Sequence, residues 1–86
     1  MADLSRFYGI VIRMYFDDHD PPHFHAEYAE SEALIGIETL GVIAGHLRPR
    51  ALGLVAEWAA LHQDELREAW LQAKNLQPTD KIAPLP

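Results

Sequence analysis

Three of the five histidines of this chain, His19, His23 and His25, fall within seven residues. They sit in the run Arg13-Met14-Tyr15-Phe16-Asp17-Asp18-His19-Asp20-Pro21-Pro22-His23-Phe24-His25-Ala26-Glu27. Imidazole nitrogens suit zinc, nickel, copper or iron. With Asp17 or Glu27 supplying an oxygen, His19, His23 and His25 make a chemically sensible ligand set for a divalent metal, although the spacing matches no named metal motif. The same stretch also suits metal-independent acid–base chemistry. His23 and His25 can divide the roles of general base and general acid. Arg13 could hold a phosphate or carboxylate through its planar fork, and Tyr15 could donate to a developing anion. Cleavage of RNA is one reaction such a set would fit. A purely structural role stands beside both chemistries. In it the rings pack flat against main-chain carbonyls or carboxylates, and Asp17, Asp18 and Asp20 cap the loop. That role gives no reason for three histidines, nor for two prolines in front of a histidine strand.

These side chains have to be positioned by strands. Residues 7–16 read as one strand, with Tyr8, Ile10, Ile12, Met14 and Phe16 on the core face and Phe7, Gly9, Val11, Arg13 and Tyr15 on the other. Gly9 within it suggests a bulge or a close backbone approach. Residues 17–22 form a loop stiffened by Pro21 and Pro22, neither of which can donate a main-chain hydrogen bond. Residues 23–29 read as a second strand, with Phe24, Ala26 and Tyr28 on one face and His23, His25 and Glu27 on the other. At ordinary strand rise the Cβ atoms of His23 and His25 lie roughly 6–7 Å apart. If the two strands form a hairpin, Arg13 and Tyr15 can face the two histidines across the ladder. A third strand over 32–38 and a short fourth over 42–44 follow, with a turn expected at Glu30-Ser31. Strands this close in sequence pair antiparallel.

Three segments together resemble a known family: Arg6-Phe7-Tyr8-Gly9-Ile10, Ile12-Arg13-Met14-Tyr15, and His19-Asp20-Pro21-Pro22-His23-Phe24-His25-Ala26-Glu27-Tyr28. Glu57-Trp58-Ala59 and Leu61-His62 extend the likeness into the second half of the chain. The family is a widespread group of small bacterial proteins known only as a domain of unknown function. The resemblance implies no established activity and no catalytic residue. It does imply a context, since members are often encoded beside a second small uncharacterised domain in what has been suggested to be a toxin–antitoxin-like pair.

The second half reads as helix. Pro49 suits a first turn, and Leu52, Val55, Ala59, His62, Leu66, Ala69 and Ala73 make an apolar stripe that Trp58, Leu61 and Trp70 widen. One helix over 49–74 would be about 39 Å long, against a radius of gyration of roughly 12 Å for this chain length. The spacing therefore predicts a break near residues 62–64, where Asp64 and Glu65 suit a new first turn. Trp58 and Trp70 read as core or interface anchors, and His62 as a satisfied histidine on the stripe.

The fold class expected is α+β: an antiparallel meander of three or four strands, followed by one long or two consecutive C-terminal helices packed on one face. Residues 1–76 form the domain and 77–86 a proline-rich tail. Eighty-six residues are enough for one modest core. The absence of cysteine excludes disulfides and thiolate metal sites. A net charge of −6 argues against non-specific nucleic-acid binding. No apolar run is long enough for a membrane span and no signal peptide is evident, so a cytoplasmic location is expected. The second sheet face, with Phe7, Val11, Tyr15 and Leu34, is more apolar than a solvated face needs to be, which predicts a covering layer: the tail, a second copy or a protein partner. A binding or regulatory module acting through protein–protein contact is the leading functional expectation. The histidine cluster, as a metal or acid–base site, is the alternative.

Overall fold

A computed structural model describes residues 2–86. Strands β1 (Ala2–Phe7), β2 (Ile10–Met14), β3 (His23–Tyr28), β4 (Ser31–Gly36) and β5 (Val42–Gly45) form one antiparallel sheet in sequence order. Helices α1 (Pro49–Leu61) and α2 (Gln63–Lys74) follow.

The sheet has five strands, where three or four were expected, because residues 7–16 are a hairpin and not one strand. Tyr8 and Gly9 both have positive φ, 51° and 81°. Two such residues in succession make the two-residue turn whose twist matches paired strands. Gly9 thus marks the turn itself. The irregularity predicted near it lies in β1 instead, where the register with β2 shifts between Asp3 and Ser5. The turn also reverses parity. Phe7 pairs with Ile10, and directly opposed residues share a sheet face. Phe7 is therefore buried against Trp58, with ring centroids 5.4 Å apart, and does not belong to the second face. Tyr8, expected in the core, is 60% exposed at the turn, and Phe16 lies past the end of β2.

The remaining strands fall close to expectation. The β3–β4 turn is at Ala29-Glu30, one residue earlier than predicted. Gly45 ends β5 with φ 74°, and a Cβ there would overlap the Glu32 carbonyl oxygen. Only glycine suits both the dihedral and the space.

The core lies between one sheet face and the helices. Leu4, Ile10, Ile12, Met14, Phe24 and Ile35 from the strands meet Val55, Trp58 and Leu66 from the helices, all fully buried. The helical segment breaks at His62, as its length required, and the Cα radius of gyration is 11.5 Å. Residues 77–86 carry no regular structure, yet they pack. The Ile82 N–H donates to the Leu4 carbonyl at 2.8 Å, and the Trp58 indole donates to the Ala83 carbonyl at 2.8 Å. Ile82 and Leu85 are buried. The segment thus covers the free edge of β1, which would otherwise present unpaired main-chain groups. It does not cover the second sheet face. That face carries Arg13, His25, Glu27 and Glu32 beside Val11 and Leu34, and it is more polar than the sequence suggested, because Phe7 has left it. No helix among the described residues is long and apolar enough to cross a membrane.

Candidate functional site

Strands β2 and β3 do form a hairpin around the diproline loop, and Arg13 stands opposite His25 in its register. The loop folds back at once after β2. The Asp18 N–H donates to the Tyr15 carbonyl at 3.3 Å, and the Tyr15 N–H donates to Asp18 Oδ2 at 3.0 Å. This closed turn holds the Asp18 carboxylate by one oxygen and leaves Oδ1 pointing inward. From α2, the Lys74 ammonium donates to the Asp18 carbonyl at 2.6 Å and lies 5.0 Å from the Trp70 ring centroid. The Asp20–Pro21 peptide is cis, and the chain then enters β3 with His23.

His23 is buried, and its ring packs 5.5 Å from that of Trp70. His23 Nδ1 lies 2.8 Å from the Pro21 carbonyl oxygen. A carbonyl only accepts, so Nδ1 carries a hydrogen and donates it there. His25 repeats the arrangement with a carboxylate. Its Nδ1 lies 3.1 Å from Glu32 Oε2 on β4, and its ring stands edge-on to Tyr15 at 4.5 Å. Both Nε2 atoms point at Asp18 Oδ1: His25 Nε2 is within hydrogen-bond distance of it at 3.2 Å, and His23 Nε2 lies 3.6 Å away. The three side chains are only 8–12% exposed. One ligating atom from each of Asp18, His23 and His25 lies within 4.8 Å of the other two.

Ligand atoms about 2.1 Å from a tetrahedral ion are about 3.4 Å from one another, and the two nitrogen–oxygen separations lie on either side of that value. An imidazole whose other nitrogen donates to a carbonyl or carboxylate is the arrangement that fixes the tautomer of metal-binding histidines. Two histidines with one carboxylate are a donor set that suits zinc or iron(II).

The candidate residues are distributed unevenly. His23 and His25 converge. His19 is exposed in the loop and does not join them. Asp17 is exposed too, and its neighbour Asp18 occupies the position foreseen for an oxygen ligand. Glu27 faces away from the cluster, toward Arg13, at 3.4 Å from Nη1. The Arg13 guanidinium also lies 3.0 Å from Asp3 Oδ1, so it is engaged along the sheet and not over the imidazoles. Partial desolvation works against the Arg13 charge, but the Tyr15 hydroxyl, Glu27 and Asp3 outweigh it and hold its pKa above the ordinary arginine value. The Arg6 hydrogen bond, with Arg13 close by, keeps the Asp3 carboxyl below its usual range. Tyr15 contributes its ring edge to His25.

Asp18, Glu32, Trp70 and Lys74 are the participants that sequence reasoning missed. The bond that selects Asp18 runs back three residues to the Tyr15 N–H, and nothing in the sequence alone separates Asp18 from Asp17. Nothing local marks Glu32, whose role depends on the β3–β4 register placing it beside His25. The two remaining histidines are accounted for elsewhere. His62 Nδ1 lies 2.6 Å from Glu65 Oε1, and His46 is exposed.

Residues 9–71 match the model of a family described as a domain of unknown function, DUF4160. No curated protein and no solved structure matches the chain. The matched span contains every residue of the cluster and its walls except Lys74, and it stops short of the segment that covers β1.

Proposed function

The chain belongs to the DUF4160 family of domains of unknown function, and from that premise we propose that it is a divalent-metal-binding domain. Asp18 Oδ1, His23 Nε2 and His25 Nε2 are the protein ligands. One observation carries this reading: each imidazole has its Nδ1 held by an acceptor, so both Nε2 atoms are aimed at the same carboxylate oxygen. Three ligand-type atoms this close together can share one cation, and side chains only 8–12% exposed would shield it from bulk water. Zinc and iron(II) fit the donor set best. When bound with open positions, such an ion supplies Lewis-acid chemistry on a substrate oxygen or a bound water. The chain's own residues hold it, fix the imidazole tautomers through Pro21 and Glu32, and wall the site with Tyr15 and Trp70. Isothermal titration of metal-stripped protein with zinc, nickel, manganese and iron(II) tests the proposal. One equivalent is expected to bind, and His23→Ala or His25→Ala is expected to abolish it. Absence of heat with all four ions removes the reading.

A second reading, contact with a protein partner or a second copy, is supported by β5. All four of its residues are exposed, Val42 and Ile43 at 44% and 47%, at the edge of the sheet opposite β1. An uncovered apolar edge strand invites strand addition. Such a contact would also suit one half of a two-gene, toxin–antitoxin-like unit. Light scattering of the chain alone and with the product of an adjacent gene tests it. A monomer in both cases, unchanged by Ile43→Lys, ends it.

A further inference from the structure

The chain's cations are nearly all in use. Arg6 holds Asp3 at 2.7 Å, Arg13 lies by Asp3 and Glu27, and Arg67 holds Glu38 at 2.9 Å and Asp64 at 2.7 Å. Lys74 and Lys81 donate to the carbonyls of Asp18 and Asp3. Arg48 and Arg50 are the exceptions. Among the described residues neither has a carboxylate within ion-pair distance, in a chain of net charge −6. Both line a single cleft of about 540 Å³, together with Tyr8, Tyr28, Ile10 and Leu54. Clefts of roughly 300–1,000 Å³ with an apolar lining and a few placed polar groups are the usual form of small-molecule sites.

The lining specifies a ligand with two parts. Ile10 is fully buried and forms the floor. Tyr8 stands at the mouth, 60% exposed, with its hydroxyl donating to a main-chain oxygen of Pro86 at 2.6 Å, so its ring is held in place while remaining open to contact. Tyr28, half-buried, lies on the other side of Gly9. Two tyrosine rings and aliphatic side chains suit a flat ring. The two arginines suit an oxyanion, which a guanidinium grips through paired N–H donors. No acidic residue lies in the first turn of α1 to neutralise them. A carboxylate would bring one negative charge to the two guanidinium groups. A phosphate monoester brings about 1.5 to 2 at neutral pH and matches them.

We propose that this cleft binds a nucleoside monophosphate, its phosphate on Arg48 and Arg50 and its base against Tyr8 and Tyr28. The site is independent of the metal cluster. His23 and Tyr28 are the first and last residues of β3, about 17 Å apart at ordinary strand rise.

The test is a titration of the full ¹⁵N-labelled chain, followed by amide shifts, with AMP, UMP, adenosine and inorganic phosphate. Shifts from AMP or UMP are expected at Tyr8, Tyr28, Arg50 and Ala51. The double substitution Arg48→Gln with Arg50→Gln is expected to weaken binding at least about tenfold, since each removes a charge-assisted hydrogen bond. Both side chains are exposed, and the spectrum of the variant itself reports whether it is folded. Adenosine and inorganic phosphate, each carrying half of the recognised chemistry, are expected to bind at least about tenfold more weakly than AMP. Failure of AMP and UMP to move these amides at millimolar concentration overturns the proposal. So does undiminished binding by the double variant, or inorganic phosphate binding as well as AMP. AMP binding by the native chain in the presence of EDTA is expected to match that without it, and a loss of AMP binding in EDTA also overturns the proposal.

Discussion

Replacing Asp18 with asparagine isolates the metal proposal better than removing a histidine. Asparagine keeps the side-chain oxygen that accepts from the Tyr15 N–H, at 3.0 Å in the native chain, so the turn can survive. What is lost is the anionic oxygen at 3.2 and 3.6 Å from the two Nε2 atoms. A metal that binds only the folded chain stabilises it by about 2.7 kcal/mol at a free concentration of 100 Kd. In a domain of this size 1 kcal/mol moves Tm by about 4–8 °C, so zinc at that level should raise Tm by about 11–22 °C. Removing a ligand should cost at least the roughly 100-fold seen at the upper end for the outer partners of metal ligands. At the same zinc concentration the gain in Asp18→Asn then falls to RT ln 2, about 0.4 kcal/mol, or about 2–3 °C. Thermal melts followed by circular dichroism, each variant with zinc against the same variant with EDTA, cancel any change in intrinsic stability. A full zinc shift in Asp18→Asn would mean that the Asp18 carboxylate does not hold the ion, and the reasoning would be refuted. An unchanged native Tm with zinc, nickel and manganese alike would refute it more simply.

Four further outcomes are expected. Glu32→Gln leaves His25 Nδ1 an acceptor but a weaker one, and calorimetry should show zinc affinity reduced by about 10- to 100-fold. Gly45→Ala must displace the Glu32 main chain and adopt a positive φ, so urea unfolding should show a loss of more than about 1 kcal/mol, with weaker zinc binding accompanying it. Ile82→Ala, which uncovers Leu4 and loosens the segment that accepts from Trp58, should cost about 2–4 kcal/mol in the same assay, whereas a mobile tail would give no change. The depressed pKa of Asp3 implies stability that is fully present above the ordinary carboxylate range and lost as pH falls through the lower folded value. Urea midpoints measured from pH 7 down to below about pH 4 should therefore fall less steeply for Asp3→Asn than for the native chain.

The parts of the fold that repeat a single period were legible. Alternation over Ile10, Ile12 and Met14, and over Phe24 and Ala26, located the core face, and the 3.6-residue stripe located both helices. Length alone located the break at His62. What escaped reading was wherever the chain changes period. Tyr8-Gly9 lies inside an unbroken apolar alternation, so the hairpin turn was invisible to a pattern argument, and Phe7 was assigned to the wrong face as a consequence. β1 escaped for a related reason. Its bulge near Leu4 lets Leu4, Ser5 and Phe7 all be buried, which no alternation describes. The diproline segment has no period at all. Residue types there pointed to the histidines, but which of Asp17, Asp18 and Glu27 would meet them depends on a turn closed by a side chain. The residues 77–86 read as a tail because prolines preclude a helix or a central strand. They do not preclude packing, and Ile82 and Leu85 are the apolar residues that achieve it.

The cluster depends on the sheet more strictly than its position at a loop suggests. His25 meets Glu32 only because β3 and β4 pair with Leu34 opposite His25, which puts Glu32 diagonally beside it on the same face. It meets Asp18 only because β2 ends at Met14 and the chain turns back within four residues. A slip of one residue in the β2–β3 or β3–β4 ladder would part His25 from Asp18 or from Glu32, because side-chain direction alternates along a strand. The buried alternation of Ile12, Ala26 and Ala33 opposes such a slip. The same apolar packing that stabilises the fold therefore holds the imidazoles in register, and the loop adds only the carboxylate. This division of labour explains why one side-chain atom from each of Asp18, His23 and His25 lies within 4.8 Å of the other two. It also explains why the exposed loop histidine, His19, has no comparable constraint and stands apart from the site.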